Sequence, residues 1–311
     1  MSEDRVGEGR LWPERNAYAP DREPAPWPEG KRLAVYVAVG VEDYVLGRGV
    51  TEDILPGVPA PDLLNASWRA YGLRVGGPRL LDRLHRLGVP ITVLLNTAVY
   101  DSAEPLIEQA RRLGAEFVAH GEFNSDSLEG MSRDEEKAYL QKVAERIRQE
   151  EGRPPLGWSS PWLTHTPNTL ELLTECGYRY LLGLRFDDQP VWLETGHGPL
   201  LAIPYSVEIN DSSAMIGRDV SAAEFADRIV DEFNEQLAAS TDTPLVMSII
   251  LHSFISGVPF RLHHVAAAIE RLVQQRDAVW FARPCEVYEH LNGRALQEGG
   301  ERGSVVGLAS D

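Results

Sequence analysis

Leu33-Ala-Val-Tyr-Val-Ala-Val-Gly-Val41, followed at once by Glu42-Asp43, is the stretch on which the fold turns. It is free of charge and rich in β-branched valine, so it reads as a buried strand. Two neighbouring carboxylates repel, and burying either one alone costs several kcal/mol. Such a pair therefore belongs at a strand's end, where a proton, a cation or a hydrogen-bond network compensates. Glu42 and Asp43 mark either a candidate site or the opening of a solvated loop.

Outward from this strand, helical and strand patterns alternate. After a long Gly/Pro-rich loop, Leu80, Leu81, Leu84 and Leu87 recur at helical spacing within residues 77–87, and Ile91 to Leu95 is a strand. Residues 103–113 read as helix and Ala115 to Ala119 as strand. Ser132 to Glu150 reads as a helix opened by a Ser132/Glu135 capping box. Thr166-Pro167 is expected to start another helix, ended by Gly177 before a strand over Tyr178 to Leu184, and Leu200 to Pro204 is a further short strand. Ser221 and Glu224 suggest a second capping box for a helix to about Leu237. Leu245 to Leu251 is an apolar strand, Arg261 to Val273 a helix and Ala278 to Phe281 a last strand. Such interleaving argues for an α/β chain with a parallel sheet, closed as a barrel or doubly wound. The expected organisation is a Pro-rich arm over 1–30, one barrel over 31–292 and a tail over 293–311.

Composition narrows the partners. The chain has 311 residues, 43% of them apolar, which is enough for one large core, and its net charge is −17. That charge opposes association with phosphate backbones and anionic lipid, so neither nucleic acid nor membrane is expected as a partner. The first 30 residues resemble neither a signal peptide nor a membrane span, which leads to the expectation of a cytoplasmic protein. Cys176 and Cys285 lack metal-ligand spacing and read as reduced, packed thiols.

Polar residues cluster after the strands. Glu42-Asp43 follow the first, Asn96 the second, His120 the third, Asp187-Asp188 the fifth candidate, and His252 the run Leu245 to Leu251. In a parallel barrel all of these would face the C-terminal rim, where active sites are assembled from several strands. Carboxylates and two histidines converging there favour chemistry over packing.

The order Val41-Glu42-Asp43, His120-Gly-Glu-Phe-Asn124-Ser125, Gly157-Trp158-Ser-Ser-Pro161, Asp187-Asp188 and Leu251-His252 resembles the motif order of the polysaccharide deacetylase (NodB-homology, carbohydrate esterase 4) superfamily. Tyr71-Gly-Leu-Arg74-Val-Gly76, Thr166-Pro167-Asn168-Thr169, and Ile203-Pro204-Tyr205 leading to Asn210-Asp211 look like its cytoplasmic branch of metal-independent allantoinases and cyclic imide hydrolases. The resemblance runs from about residue 31 to 292 and implies a distorted (β/α)7-type barrel in a single domain. It also implies a hydrolase of a non-peptide carbon–nitrogen bond acting on a small substrate, and self-association of the chain.

Carried over residue by residue, the resemblance makes Glu42 the general base, Asp43 and His120 metal ligands, and His252 the general acid. Where metal-dependent relatives place a second histidine, this chain has Asn124, a weaker donor than the His, Cys and carboxylate groups that zinc prefers. Asp43, His120 and Asn124 could hold a divalent metal, zinc first, or bind substrate directly. An acid beside His252 would keep it charged, and Asp187 or Asp188 could serve, with Asp188 the catalytic candidate. Arg74, Trp158, Asp187 and Asn210 are the substrate-binding candidates; for Trp158 the alternative is core packing, and for Arg74 a salt bridge. Asn124 in the histidine's place also leaves open a non-catalytic ligand-binding barrel, and a polysaccharide or N-acetyl sugar deacetylase is the other alternative.

Overall fold

The computed structural model describes residues 26–48, 53–297 and 306–307. The expected N-terminal arm lies mostly outside the described residues, as does most of the expected C-terminal tail. The chain begins β1 (Leu33–Val41), α1 (Leu63–Tyr71), a wide π-helical turn (Gly72–Gly76), α2 (Gly77–Arg86), β2 (Ile91–Leu95), α3 (Val99–Ser102) and α4 (Glu104–Arg112). β3 (Glu116–Ala119), α5 (Arg133–Glu151), β4 (Gly157–Ser159), α6 (Thr169–Glu175) and β5 (Tyr180–Leu182) follow, then a hairpin of β6 (Val191–Thr195) and β7 (Gly198–Ile203). α7 (Ala222–Ala239), β8 (Leu245–His252), α8 (Pro259–Val273), β9 (Val279–Phe281), α9 (Pro284–Gln297) and β10 (Val306–Gly307) complete the order.

Strands β1 to β5, β7 and β8 pair in parallel, which makes seven parallel staves. Closure between β7 and β8 is imperfect. The chain beyond β7 meets β8 through Ile250 N–H to Ile209 O (2.9 Å) and Ser206 N–H to Ser248 Oγ (2.7 Å) rather than through a full ladder. The result is the distorted barrel that the alternating pattern and the resemblance lead one to expect.

β1 shows why the sheet curls. Leu33, Val35, Val37, Val39 and Val41 pack outward into the core shared with the helices, whereas Ala34, Tyr36 and Ala38 point inward to meet Leu94, Val118, Tyr180 and Ile250. A strand buried on both faces needs no polar alternation, which is the pattern of its sequence. β9 pairs with the first half of β1, and Trp27 seats its Nε1–H on the Leu245 carbonyl (3.0 Å) against Trp280, so both close the barrel at its N-terminal end.

Several local expectations change. α1 lies inside the stretch expected to be loop, β6 runs antiparallel to β7, and α9 extends past residue 292. α6 starts at Thr169, not Thr166. The Thr166 hydroxyl accepts the Asn168 N–H and reaches the buried Glu136 carboxylate, which makes it a turn and strut residue. The Ser132/Glu135 capping box is complete, while Ser221 accepts from Glu224 N–H. Among the described residues no helix is long and apolar enough to cross a membrane.

Candidate active site

Register brings the polar residues together. Val41 pairs with Leu95, Leu95 with Ala119, Ala119 with Trp158, and Gly40 with His252. The residues that follow these pairs, Glu42, Asn96, His120 and Ser159, therefore lie side by side with His252 at the C-terminal rim. Asn96 staples the rim: its Oδ1 accepts the Asp43 N–H (3.0 Å) and its amide nitrogen donates to the His120 carbonyl. Gly40 supplies room, because a Cβ there would stand 2.5 Å from Glu42 Oε1 and 2.8 Å from the His252 ring.

Glu42 is at the centre, 1% exposed. Its Oε1 lies 3.3 Å from His252 Nε2 and 3.6 Å from His120 Nε2. Its Oε2 accepts from the Tyr44 hydroxyl (2.8 Å) and the Asn124 amide (3.0 Å), and the Asn124 amide also reaches Tyr44 Oη (2.8 Å). Burial pushes the Glu42 carboxyl up, but His252 and His120 more than offset it and hold it well below the usual carboxylate range. His252 mirrors this. Burial alone would strip its proton, yet Glu42 on one side and Asp211 on the other raise it well above 6.5. Asp211 is fully buried; its Oδ1 lies 2.6 Å from His252 Nδ1, and its Oδ2 accepts the His252 N–H (2.9 Å), the Ser256 N–H (3.2 Å) and the Ser256 hydroxyl. His120 Nδ1 lies 2.7 Å from the Ser159 carbonyl, a contact that fixes the ring with Nε2 toward Glu42.

Glu42, Asp43, His120, Asn124 and His252 thus assemble as a group, and other candidates do not join them. Asp188 is not the acid beside His252. Its carbonyl accepts the Val246 N–H and its carboxylate pairs with Arg185. Val246 lies six residues before His252 on β8, about 20 Å at strand spacing. Asp187 caps its own loop by accepting the Gln189 N–H (3.0 Å). Trp158 is fully buried in the outer layer, edge-on to Tyr139 and Tyr178, with Nε1–H on Ser160 Oγ, so it is a core residue rather than a substrate wall. Arg74 is exposed on the π-helical turn. Arg69 takes the inner position, its guanidinium 4.5 Å from the Tyr44 ring centroid and 3.2 Å from Asp53. Asn210 is buried next to Asp211 and spends its Oδ1 on the Ser212 N–H (3.0 Å).

Asp211, Tyr44 and Arg69 are the functional neighbours that sequence reading misses. For Asp211 a signal existed in the acid that follows the Ile203-Pro204-Tyr205 strand end. Tyr44 and Arg69 carry none, because only the fold lays α1 over the end of β1.

A metal on Asp43, His120 and Asn124 fits these residues poorly. Asn124 turns its amide nitrogen toward Glu42, and Asp43 Oδ1 accepts the Tyr44 N–H (2.8 Å). His252 Nε2 faces a carboxylate, and among the described residues no three His, Cys, Asp or Glu are grouped to hold a metal ion. One imidazole, one half-buried carboxylate and one amide are a poor donor set for zinc. The Asn124 Oδ1 is buried without a protein partner, as are Ser159 Oγ and Ser253 Oγ. An unmet buried acceptor costs about 1–3 kcal/mol, which makes Asn124 Oδ1 a ready partner for a donor on a ligand.

Comparison with known proteins bears on the family and the fold. Residues 71–181 match the family model for polysaccharide deacetylase. A peptidoglycan deacetylase from Helicobacter pylori is 30% identical over 159 residues, 50% of this chain and 52% of the relative, so the chain spans about half the length of that curated relative. A Mycobacterium smegmatis protein designated a polysaccharide deacetylase superposes with a TM-score of 0.76 at 26% identity, covering 88% of this chain and 94% of the other. One from Pseudomonas aeruginosa gives 0.77 at 26%, covering 93% and 99%. PuuE allantoinase gives 0.78 at 24%, covering 88% and 95%, a likeness of fold. Residues 71–181 are thus similar to the polysaccharide deacetylase family, and the likeness of fold to proteins so designated extends over most of the chain.

Proposed function

We propose that this chain hydrolyses a non-peptide carbon–nitrogen bond in a small cyclic imide, ureide or N-acyl compound by means of a base-activated water. The observation that carries the reading is the row Asp211, His252, Glu42, His120, in which a buried carboxylate lies between two imidazoles and one imidazole is charged from behind. At rest the acid and the base touch, and Glu42 is a weak base because its charge is paired. Substrate and water entering between Oε1 and His252 Nε2 relieve that pairing and raise the basicity of Glu42 where it is used. Glu42 takes the water's proton as oxygen bonds the carbonyl carbon. His252 then gives its Nε2 proton to the leaving nitrogen as the carbon–nitrogen bond breaks, and Asp211 steadies the ring throughout. Asn124 Oδ1 accepts an N–H of the substrate, a donor that imides, ureides and N-acyl amines share. His120, fixed by Ser159 with Nε2 toward Glu42, lies beside the place where the oxyanion develops.

The test is a panel of cyclic imides, allantoin and N-acetyl sugars assayed with and without chelator, alongside Glu42→Gln. The expected result is turnover of at least one class, unchanged by chelation, and lowered by roughly 10²–10⁴-fold in the variant. Full activity in Glu42→Gln would remove the base assignment.

A further inference from the structure

When water bonds the carbonyl carbon, negative charge develops on the carbonyl oxygen, and a donor about 2.7–3.1 Å from that oxygen stabilises it. The groups that touch Glu42 decide which donors are at hand. His252 and His120 meet its Oε1, while the Tyr44 hydroxyl and the Asn124 amide meet its Oε2. His252 serves the leaving nitrogen. The Asn124 amide nitrogen is engaged by Glu42 Oε2 (3.0 Å) and Tyr44 Oη (2.8 Å). Beside His120, that leaves the Tyr44 O–H.

Tyr44 is held firmly. The Val45 N–H donates to Ser125 Oγ (3.0 Å) and the Asn124 N–H to the Asp43 carbonyl (2.8 Å), so residues 43–45 are zipped onto 124–125. The Tyr44 ring is half-buried and edge-on to Phe254 (5.9 Å between centroids), with the Arg69 guanidinium 4.5 Å from its own centroid. Arg69 is 8% exposed and paired with Asp53 (3.2 Å). Withdrawing a guanidinium from water costs free energy, and an apolar side chain would pack as well. What the cation adds is a pull on the phenol electrons, which makes the O–H a stronger donor. In the resting site that proton points to Glu42 Oε2 (2.8 Å). Once Oε1 takes the water's proton, the carboxyl is neutral and Oε2 is a weaker acceptor, just as the carbonyl oxygen gains charge. Turning the O–H about its own C–O bond then moves the hydrogen bond without moving a heavy atom.

We propose that Tyr44 is a catalytic residue whose hydroxyl donates to the oxyanion while Glu42 holds the water's proton, and that Arg69 strengthens it in that role. The proposal rests on the hydrolase reading above and adds a donor to it. No bond of Tyr44 breaks. When the carbon–nitrogen bond breaks and the carbonyl re-forms, Glu42 returns its proton to His252 Nε2, 3.3 Å away, and the Tyr44 O–H turns back to the carboxylate.

The experiment compares each compound that the parent hydrolyses with its thiocarbonyl analogue, on the parent, Tyr44→Phe, Arg69→Met and the double variant. Tyr44→Phe keeps the ring against Phe254 and Arg69, so the variant retains the packing. Sulfur accepts hydrogen bonds poorly, so the thiocarbonyl reaction draws little on an oxyanion donor. In Tyr44→Phe, kcat for the oxygen compound should fall by roughly 10²-fold with KM within about threefold, and the oxo-to-thio ratio of kcat/KM should fall at least about tenfold. Arg69→Met should lower turnover several-fold in the parent and hardly at all in the Tyr44→Phe background. A kcat within about threefold of the parent, or an oxo-to-thio ratio that Tyr44→Phe leaves unchanged, overturns the proposal. Equal losses from Arg69→Met in both backgrounds overturn the share given to Arg69. If the parent turns over no compound, the hydrolase reading fails, and calorimetric titration of a cyclic phosphonamidate, with a tetrahedral P–O⁻ in place of one succinimide carbonyl, decides Tyr44 separately. Binding at least about tenfold weaker in Tyr44→Phe upholds the donor, and equal affinities overturn it.

Discussion

Of the buried glutamates, Glu42 and Glu116 stand at opposite ends of the barrel, and their neighbours drive them in opposite directions. Glu42 at the C-terminal rim lies between two imidazoles and is held as a carboxylate. Glu116 at the start of β3 accepts from the Tyr180 hydroxyl and the Cys285 N–H (3.2 Å), and burial prevails over those bonds to push its carboxyl up. The residue type is the same and both are nearly inaccessible, at 1% and 6% exposed. The difference lies in the charge of what surrounds them. Neutral donors satisfy a carboxyl, whereas cationic partners make it a stored charge. A stored ion pair at the rim where the strands end together can do proton chemistry, and a carboxyl pushed up by burial at the opposite end helps close the barrel.

The comparison can be broken first at Asp211. Asp211→Asn keeps the size but removes the charge behind His252, so turnover should fall by roughly 10²-fold or more. The alkaline limb of kcat/KM should also move to lower pH. The sign follows from the raised His252: it stays charged from below 6.5 until pH passes its elevated folded value, and it loses that range when Asp211 no longer supports it. An unmoved alkaline limb would mean that Asp211 only fills space.

A smaller effect is expected at the other end. Glu116→Gln should change turnover by less than about twofold, because no rim residue contacts it. Its signature is in stability. A carboxyl raised on folding favours the folded state below its unfolded value of about 4.5 and loses that advantage as pH rises through the folded value. The variant should therefore gain thermal stability relative to the parent as pH climbs from 4 toward neutrality. A constant difference between the two melting curves across pH would show that Glu116 titrates normally.

Much of the rim was legible in the sequence, and the reason is physical. β1, β2, β3 and β8 are dense apolar runs that stop at a polar residue, so strand ends and rim residues could be read together at Glu42, Asn96, His120 and His252. The acid beside His252 was misplaced, because Asp188 follows a strand in sequence while Asp211 reaches β8 only through the stagger that closes the barrel. Stagger is a property of the whole cylinder and leaves no local mark. α1 escaped because its buried side includes Asn65 and Arg69, which do not read as an apolar stripe, and because Leu63 faces solvent. Trp158 was open to either reading, and its place on the outer face of β4 decided for the core.

The central claim is that Glu42 and Asp211 together keep His252 charged. The direct measurement is an NMR titration of the His252 ring in the parent and in Glu42→Gln. The account predicts an imidazolium that persists through neutral pH in the parent, with a midpoint well above 6.5, and a lower midpoint in the variant. A His252 ring already neutral at pH 7 in the parent, or a midpoint that Glu42→Gln leaves in place, would contradict it.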